Sequence, residues 1–290
     1  MRAPTSSTRR YGSLDAFAKA PPPLPGPVAV ILAEDEVELD TTLRHHALAG
    51  FRTLILVGDP SLRLADAVAA GTHRIDLPLD RPGRAIDAVN AVIAAAPGTW
   101  LYYCYNAEYL FYPFSESRSV GEMLTFHAEE RRDAMLTYVI DLYATDLAAY
   151  PDAVSLETAH LDRAGYYAAT PRERGGERRL DFFGGLRWRF EEHLPPARRR
   201  IDRYALFRAK PGLTLTADHL FDDPEYNTYA CPWHHNLTAA ICSFRTAKAL
   251  RRNPGSRYDI QSFAWHASTP FEWHSQQLLD LGLMEPGQWF

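Results

Sequence analysis

The chain has 290 residues, of which 46% are hydrophobic and 23% are charged, and its formal net charge is −5. This composition is typical of a globular protein with a sizeable core. The acidic balance argues against a nucleic-acid-binding protein, because phosphate binding needs a concentrated basic field. The three cysteines lack zinc-site spacing, and their odd number argues against a disulfide framework and favours a reducing compartment.

No segment approaches the ~18 consecutive apolar residues that a membrane-spanning helix needs. The sequence therefore predicts a cytoplasmic protein without a transmembrane segment, and leaves open a peripheral contact with the inner membrane. Residues 1–20 are polar and predicted to be mobile, and the proline-rich stretch 21–27 is predicted to be stiff and extended. Together they form a predicted flexible lead-in, residues 1–27.

The next part of the chain alternates short apolar runs with segments of helical periodicity. Strands are predicted at 28–32, 53–57, 74–79 and 100–104, and helices near 39–47 and 84–96. Repeated strand–helix–strand units with short connections predict a parallel sheet with helices on both faces. Ligands bind beyond the carboxyl ends of such strands, so the residues to watch are those directly after them: Glu34 to Glu36, Asp59 and 105–109.

The second half of the chain is less regular. Strands are predicted at 135–143 and 201–209, and a helix near 272–282. The predicted fold class is α/β, with a mixed, mostly parallel sheet flanked by helices and a C-terminal α+β elaboration. We expect one domain at 28–250 and a helical, aromatic-rich tail at 251–290 packed on it.

The stretch WLYYCYNAEYLFYP, residues 100–113, resembles the strand and acidic turn of family-2-like glycosyltransferases of the GT-A fold. In that family an Asp-x-Asp-Glu turn holds a divalent cation, which bridges the diphosphate of a nucleotide sugar. Here Tyr105 and Ala107 stand at the two aspartate positions and Glu108 at the glutamate position. The resemblance implies that Glu108 is a catalytic residue, acting either as a weak ligand of Mn²⁺ or Mg²⁺ or as an acceptor for a hydroxyl of the donor sugar. The alternative interpretation is a turn acid bonded to the local backbone.

An alignment with one residue missing leaves Asn106-Ala107-Glu108 as the remnant of the motif, which makes Asn106 a further donor-binding candidate. Residues 28–61 resemble the opening of the same family, in which the first turn and the acid after the second strand contact the nucleoside. The resemblance therefore implies Glu34, Glu36 and Asp59 as nucleotide-binding residues. Ordinary loop acids are the alternative, since acids near a helix start also favour the helix.

The stretch FFGGLRWRF, residues 182–190, resembles the Gly-Gly-x-Arg element of related glycosyltransferase-like proteins. An arginine suits a diphosphate because its planar fork donates bidentately. The resemblance implies further residues near the donor: Arg187, His219 and His235 as catalytic residues, and Lys248 as a donor-binding residue. A structural glycine turn and structurally satisfied histidines are the alternatives.

These resemblances imply a transferase that moves a sugar from a nucleotide sugar to a glycan or lipid-linked acceptor. The alternative is a non-catalytic nucleotide- or glycan-binding protein of the same fold in a polysaccharide-assembly system. A third interpretation is a metal-independent transferase, in which Arg187, Lys248 or the cluster 198–200 replaces the charge of the cation.

Overall fold

The computed structural model describes residues 8–169, 180–228 and 236–289. The chain divides into two compact units. Unit 1 comprises Met1–Ala107, Ser119–Ala134 and Ala205–Tyr226, and unit 2 comprises Glu108–Arg118, Met135–Tyr204 and Asn227–Phe290. Both units draw on the region 28–250 that the sequence suggests as one domain, and the predicted tail 251–290 belongs to unit 2.

Unit 1 is built on a parallel sheet with helices between its strands. Its elements in chain order are β1 (Arg10–Tyr11), α1 (Leu14–Lys19), β2 (Val28–Ala33), α2 (Leu39–Leu48), β3 (Thr53–Gly58), α3 (Asp66–Ala69), β4 (Thr72–Asp76), α4 (Arg84–Ala95), β5 (Trp100–Tyr105) and α5 (Val120–Glu129). The strand order is β1-β4-β3-β2-β5, and every pair in it is parallel. Every residue of β2 and β3 is buried, as expected for apolar strands covered on both faces.

The register of these strands brings their carboxyl ends to one edge. Ala33 pairs with Gly58, Gly58 with Asp76, and Leu32 with Tyr105. The predicted strands at 28–32, 53–57 and 100–104 are confirmed, and so are the helices near 39–47 and 84–96. The strand predicted at 74–79 is instead β4, which ends at Asp76, two residues before Pro78, a residue that has no N–H for the ladder.

The N-terminal segment is more ordered than its composition suggests. β1 pairs with β4 through Arg10 and Tyr11, and α1 follows it, capped by the Ser13 hydroxyl. Tyr11 and Phe17 are buried and pack edge to face with centroids 5.3 Å apart. The predicted mobility of residues 1–20 is therefore wrong for residues 10–19, because these two rings and the strand pairing fix the segment on unit 1.

Apart from Ala134 of β7 and residues 205–208 of β12, which belong to unit 1, unit 2 contains the remaining α-helices and strands. They are β6 (Glu108–Phe111), β7 (Ala134–Asp141), β8 (Tyr143–Ala144), β9 (Ala159–Asp162), β10 (Tyr167–Ala169), β11 (Asp181–Phe183), α6 (Gly185–Arg189), β12 (Asp202–Arg208), β13 (Ala239–Ser243), α7 (Arg245–Arg252), β14 (Ser268–Pro270) and α8 (Ser275–Asp280). β13 pairs in parallel with β7 and antiparallel with β6. The last residues of β12 belong to unit 1, where Leu206 to Arg208 pair antiparallel with β5.

The predicted α/β class with a mixed, mostly parallel sheet flanked by helices is confirmed. The strand predicted at 135–143 is instead two shorter strands: β7 ends at Asp141, the last residue that pairs with β13, and β8 begins at Tyr143. The strand predicted at 201–209 and the helix predicted near 272–282 are confirmed as β12 and α8. Across the three described stretches, none of the helices has the length and apolar character needed to cross a bilayer.

Candidate functional site

The carboxyl edge of the unit 1 sheet carries a row of polar turns. Glu34 to Glu36 follow β2, Asp59 follows β3, and Asn106 follows β5. The three strands are adjacent and parallel, in the order β3-β2-β5. Open α/β sheets bind ligands at this edge. The structure thus brings four of the predicted nucleotide-binding residues, Glu34, Glu36, Asp59 and Asn106, to one edge of unit 1.

Asn106 locks two of these turns together. Its side-chain oxygen accepts the N–H of Glu34 at 2.9 Å, and its side-chain nitrogen donates to Oδ1 of Asp35 at 2.6 Å and to the carbonyl of Val37 at 2.9 Å. Asn106 is fully buried. Its amide is therefore engaged in holding the turn after β2 against the turn after β5, which makes it a positioning residue for the edge.

The acids after β2 differ in their surroundings. Glu34 and Glu36 are exposed, and Oε1 of Glu36 accepts the N–H of Arg63 at 3.0 Å. Asp35 is half-buried, and its Oδ1 also accepts the N–H of Val37 at 3.0 Å. Asp35 lies within the turn that the sequence marks as one to watch, but only its two neighbours, Glu34 and Glu36, are predicted nucleotide-binding residues. Its position as the middle acid of a three-acid turn directly after a buried strand was the available signal.

Asp59 forms a tight local turn with Ser61. One oxygen of its carboxylate accepts the Ser61 N–H at 2.8 Å and the Ser61 hydroxyl at 2.5 Å. These two hydrogen bonds lower the pKa of Asp59 below its ordinary value, and the bond from the Ser61 hydroxyl has the larger effect. Arg74 donates to the carbonyl of Asp59 at 2.7 Å and to Asp76 at 3.0 Å, which fixes the turn after β3 on β4. Asp59 is therefore ionised and rigidly placed.

His219 lies elsewhere in unit 1. Its ring stacks on Tyr103, with centroids 5.8 Å apart and an interplanar angle of 9°, and its Nδ1 lies 3.0 Å from the Tyr103 hydroxyl. Tyr103 is buried in the middle of β5, two residues before the strand ends. The predicted catalytic histidine is thus packed beside the middle of a strand, and the acids at the carboxyl edge follow the strand ends.

Unit 2 holds a second group of polar residues, aligned across three strands. Ser243, the last residue of β13, pairs with Glu108 on β6 and with Asp141 on β7. In-register residues of neighbouring strands share a face of the sheet. All three are buried, and the Ser243 hydroxyl donates to Oε1 of Glu108 at 3.0 Å. We call Glu108, Ser243 and Asp141 the carboxylate row.

Arg203 covers one end of the carboxylate row. Its two terminal nitrogens donate to the two oxygens of Glu108, at 2.7 and 3.2 Å. Arg203 is only 4% exposed and Glu108 is fully buried. This is a bidentate fork of the geometry that makes arginine–carboxylate pairs strong. The motif comparison gave no reason to select Arg203, because the two partners are 95 residues apart in the chain.

Arg187 covers the other end. The backbone N–H of Arg187 donates to one oxygen of Asp141 and its side-chain Nε to the other, each at 3.3 Å. The same Nε donates to the hydroxyl of Thr246 at 3.2 Å. Burial raises the pKa of Asp141 and lowers that of Arg187, while each partner's charge opposes the shift of the other. Glu108 also acts on Arg187 electrostatically, so the structure brings these two predicted catalytic residues into one charged cluster.

A divalent cation does not fit the remnant of the acidic motif. Tyr105 and Ala107 offer no carboxylate, and both oxygens of Glu108 already accept hydrogen bonds from Arg203. Among the residues that the structure describes, no group of three or more His, Cys, Asp and Glu side chains is arranged to hold a metal ion. The ligation of Mn²⁺ or Mg²⁺ by Glu108 stays a prediction.

The remaining predicted residues are Lys248 and His235. Lys248 lies on α7 of unit 2 and is 3% exposed. His235 lies outside the described residues. The predicted site residues within those residues therefore form two groups: Glu34, Glu36, Asp59, Asn106 and His219 in unit 1, and Glu108, Arg187 and Lys248 in unit 2.

An open groove of about 710 Å³ lies at the opposite edge of the unit 1 sheet, near the starts of β2, β3 and β5. Pro27, Arg52, Trp100 and Arg208 are among the residues that line it. It contains none of the predicted site residues. Convergence of polar turns, rather than cavity size, therefore marks the carboxyl edge as the candidate site.

Comparisons with known proteins add only distant similarity. No protein-family model matches the chain, and no curated protein matches it. Among solved structures, the chain is similar to "UTP-bound UGPase from Acinetobacter baumannii", with 9% identity and a TM-score of 0.33, over 80% of this chain and 96% of that one. A similarity of this degree supports no inference, so any function must be inferred from the residues of this chain.

Proposed function

We propose that the carboxyl edge of unit 1 binds the nucleoside part of a nucleotide sugar, and that the protein transfers the sugar to a glycan or lipid-linked acceptor. One observation carries the proposal. The buried Asn106 joins the turns after β5 and β2, next to the strand that Asp59 follows. A rigid edge with an ionised acid is suited to the hydroxyl and N–H donors of a nucleoside.

Asp59 is the residue best placed to accept those donors. Its Oδ1 is engaged with Ser61, and its Oδ2 has no hydrogen bond to any described residue. Glu34 and Glu36 add exposed acceptors on the next strand. Because these groups are anionic, they repel a diphosphate, and the phosphates of a bound nucleotide sugar extend away from them. Catalysis in such a site is mostly positioning and charge stabilisation.

A non-catalytic nucleotide-binding protein is the second candidate. The observation that favours it is the state of the predicted catalytic groups in unit 2. Glu108 is paired with Arg203, and Arg187 with Asp141, so each of these side chains already has a partner of opposite charge. Such pairs also occur as purely structural elements of a fold.

Calorimetric titration of UDP, GDP and CMP and their sugars into the purified protein tests the proposal. We expect one class to bind, and Asp59→Asn to weaken its binding by about tenfold, because it removes a charged acceptor. Asp87→Asn is the matched control, since Asp87 is an exposed acid on α4. Absence of binding to well-folded protein, or equal affinity of the Asp59 variant, would count against the proposal.

Turnover separates the two candidates. The nucleotide sugar that binds is incubated with the protein and a panel of glycan and lipid-linked acceptors, and the released nucleotide is measured. Release that depends on the acceptor supports transfer. Tight binding without release supports the non-catalytic protein.

A further inference from the structure

The carboxylate row is already balanced by positive charge. Glu108 and Asp141 lie on either side of Ser243 in register, and all three are buried. Arg203 donates a hydrogen bond to each oxygen of Glu108, and Arg187 donates one to each oxygen of Asp141. Arginine stays protonated in proteins, so neither guanidinium gives up its charge at working pH.

A divalent cation at Glu108 would compete directly with Arg203. The Arg203 nitrogens lie 2.7 and 3.2 Å from the two carboxylate oxygens that such a cation would need. Like charges at these separations repel strongly where water is excluded, and Arg203 is only 4% exposed. Removing Arg203 from the carboxylate would also break a buried ion pair, which is highly unfavourable.

From this arrangement we propose that Arg203 takes the place of a divalent cation at Glu108, so that nucleotide binding by this protein is independent of metal. The proposal rests on the function proposed above. It assigns a role to a residue that the motif comparison did not select. It also gives a reason why Tyr105 and Ala107 are tolerated where carboxylates would hold a metal: the charge of Glu108 is already neutralised by the chain itself.

The first test measures nucleotide affinity and metal binding separately. The nucleotide that binds is titrated once with EDTA and once with Mn²⁺, and free Mn²⁺ is followed by its paramagnetic resonance signal during a titration with protein alone. We expect affinities equal within about twofold and no stoichiometric loss of the Mn²⁺ signal. Affinity about tenfold higher with Mn²⁺, lost in Glu108→Gln, would overturn the proposal.

The second test uses Arg203→Gln and the double variant Arg203→Gln/Glu108→Gln. The single variant leaves Glu108 buried without its guanidinium, so we expect a lower melting temperature that Mn²⁺ raises. The double variant removes both charges, and we expect its melting temperature to be insensitive to Mn²⁺. A Mn²⁺-dependent rise of equal size in the wild-type protein contradicts the proposal. If the single variant does not fold, the wild-type measurement decides.

The outcomes separate this proposal from the proposed function. If no nucleotide binds in either buffer, the proposed function fails, and the Mn²⁺ titration and melting curves still decide the role of Arg203. If nucleotide binds only with Mn²⁺, the proposed function stands and the role given to Arg203 fails.

Discussion

Asn106 and Asp35 share a hydrogen bond of 2.6 Å that joins the turns following two neighbouring strands. The same amide accepts the N–H of Glu34 and donates to the carbonyl of Val37. One fully buried side chain therefore satisfies three groups of the turn after β2. The shape of the carboxyl edge of unit 1 depends on this amide more than on any of the exposed acids around it.

Asn106→Asp is expected to destabilise the protein and weaken nucleotide binding together. The new carboxylate still accepts the N–H of Glu34, but it cannot donate to Val37, and it meets Asp35 as a like charge. A buried group left without its partner costs about 1–3 kcal/mol. Urea denaturation gives the stability, and calorimetry on the folded variant gives the affinity.

Asn90→Asp is the control for this substitution. Asn90 on α4 also donates to and accepts from one backbone residue, Leu215, and it lies outside the turns of the carboxyl edge. Its replacement should lower stability and leave nucleotide affinity unchanged. Equal loss of affinity in both variants would show that Asn106 acts through general stability and has no special role at the edge.

The strands of unit 1 could be predicted because each is a continuous apolar run that the sheet buries on both faces, as in Val28–Ala33 and Thr53–Gly58. The N-terminal strand and helix could not, because β1 is two residues long and depends on pairing Arg10 with Arg74, far along the chain. Local pattern carries no information about such a distant partner.

The candidate site was predictable in part for the same reason. Glu34, Glu36, Asp59 and Asn106 follow predicted strands directly, so parallel topology alone places them at one edge. The environment of Glu108 was not predictable. It is set by the register of β13 and by an arginine on β12, which only the tertiary structure brings next to it.

His127 makes stability depend on pH. The ring is 2% exposed and its Nε2 donates to the carbonyl of Ala134 at 2.9 Å. Burial lowers its pKa from 6.5 to about 4, although that hydrogen bond opposes the shift. In the unfolded chain the imidazole of His127 is therefore protonated below about pH 6.5, whereas in the folded protein it is protonated only below about pH 4. Stability is lost as the pH falls through this window, by up to about 3 kcal/mol.

His127→Gln should flatten that dependence, because an amide does not titrate and still donates a hydrogen bond. Urea denaturation between about pH 4.5 and 8 measures the slope for both proteins. His266→Gln is the control, since His266 is exposed. An unchanged slope in the His127 variant would assign the acid sensitivity to other groups.

The pair of Arg187 and Asp141 should contribute strongly to unit 2 stability while both partners are present. Arg187→Met leaves the buried Asp141 carboxylate without its guanidinium, and such losses reach about 3–5 kcal/mol. The double variant Arg187→Met/Asp141→Asn removes both charges and should recover part of the loss. Equilibrium denaturation of the four proteins gives the coupling energy. A coupling near zero would mean that Arg187 stabilises unit 2 through its other contacts, with Thr246 and the carbonyl of Arg200.

The first glycine of the Gly-Gly element, Gly184, lies against the ring of Tyr166. A Cβ on Gly184 would lie 2.8 Å from Cγ and Cε1 of the Tyr166 ring, so alanine at this position forces the ring to move. Gly184→Ala should therefore destabilise the protein by about 1–3 kcal/mol, and by less in a Tyr166→Ala background.

The Tyr166 hydroxyl itself is buried and has no hydrogen-bond partner among the residues that the structure describes. Burial, reinforced by the nearby Asp162 and Asp141, raises its pKa well above the ordinary value, so the group stays protonated. A buried hydroxyl without a partner is unfavourable, and Tyr166→Phe should raise stability by about 1 kcal/mol while keeping the ring that packs on Gly184. Thermal denaturation decides this. A lower melting temperature for the phenylalanine variant would mean that the hydroxyl has a hydrogen-bond partner in solution.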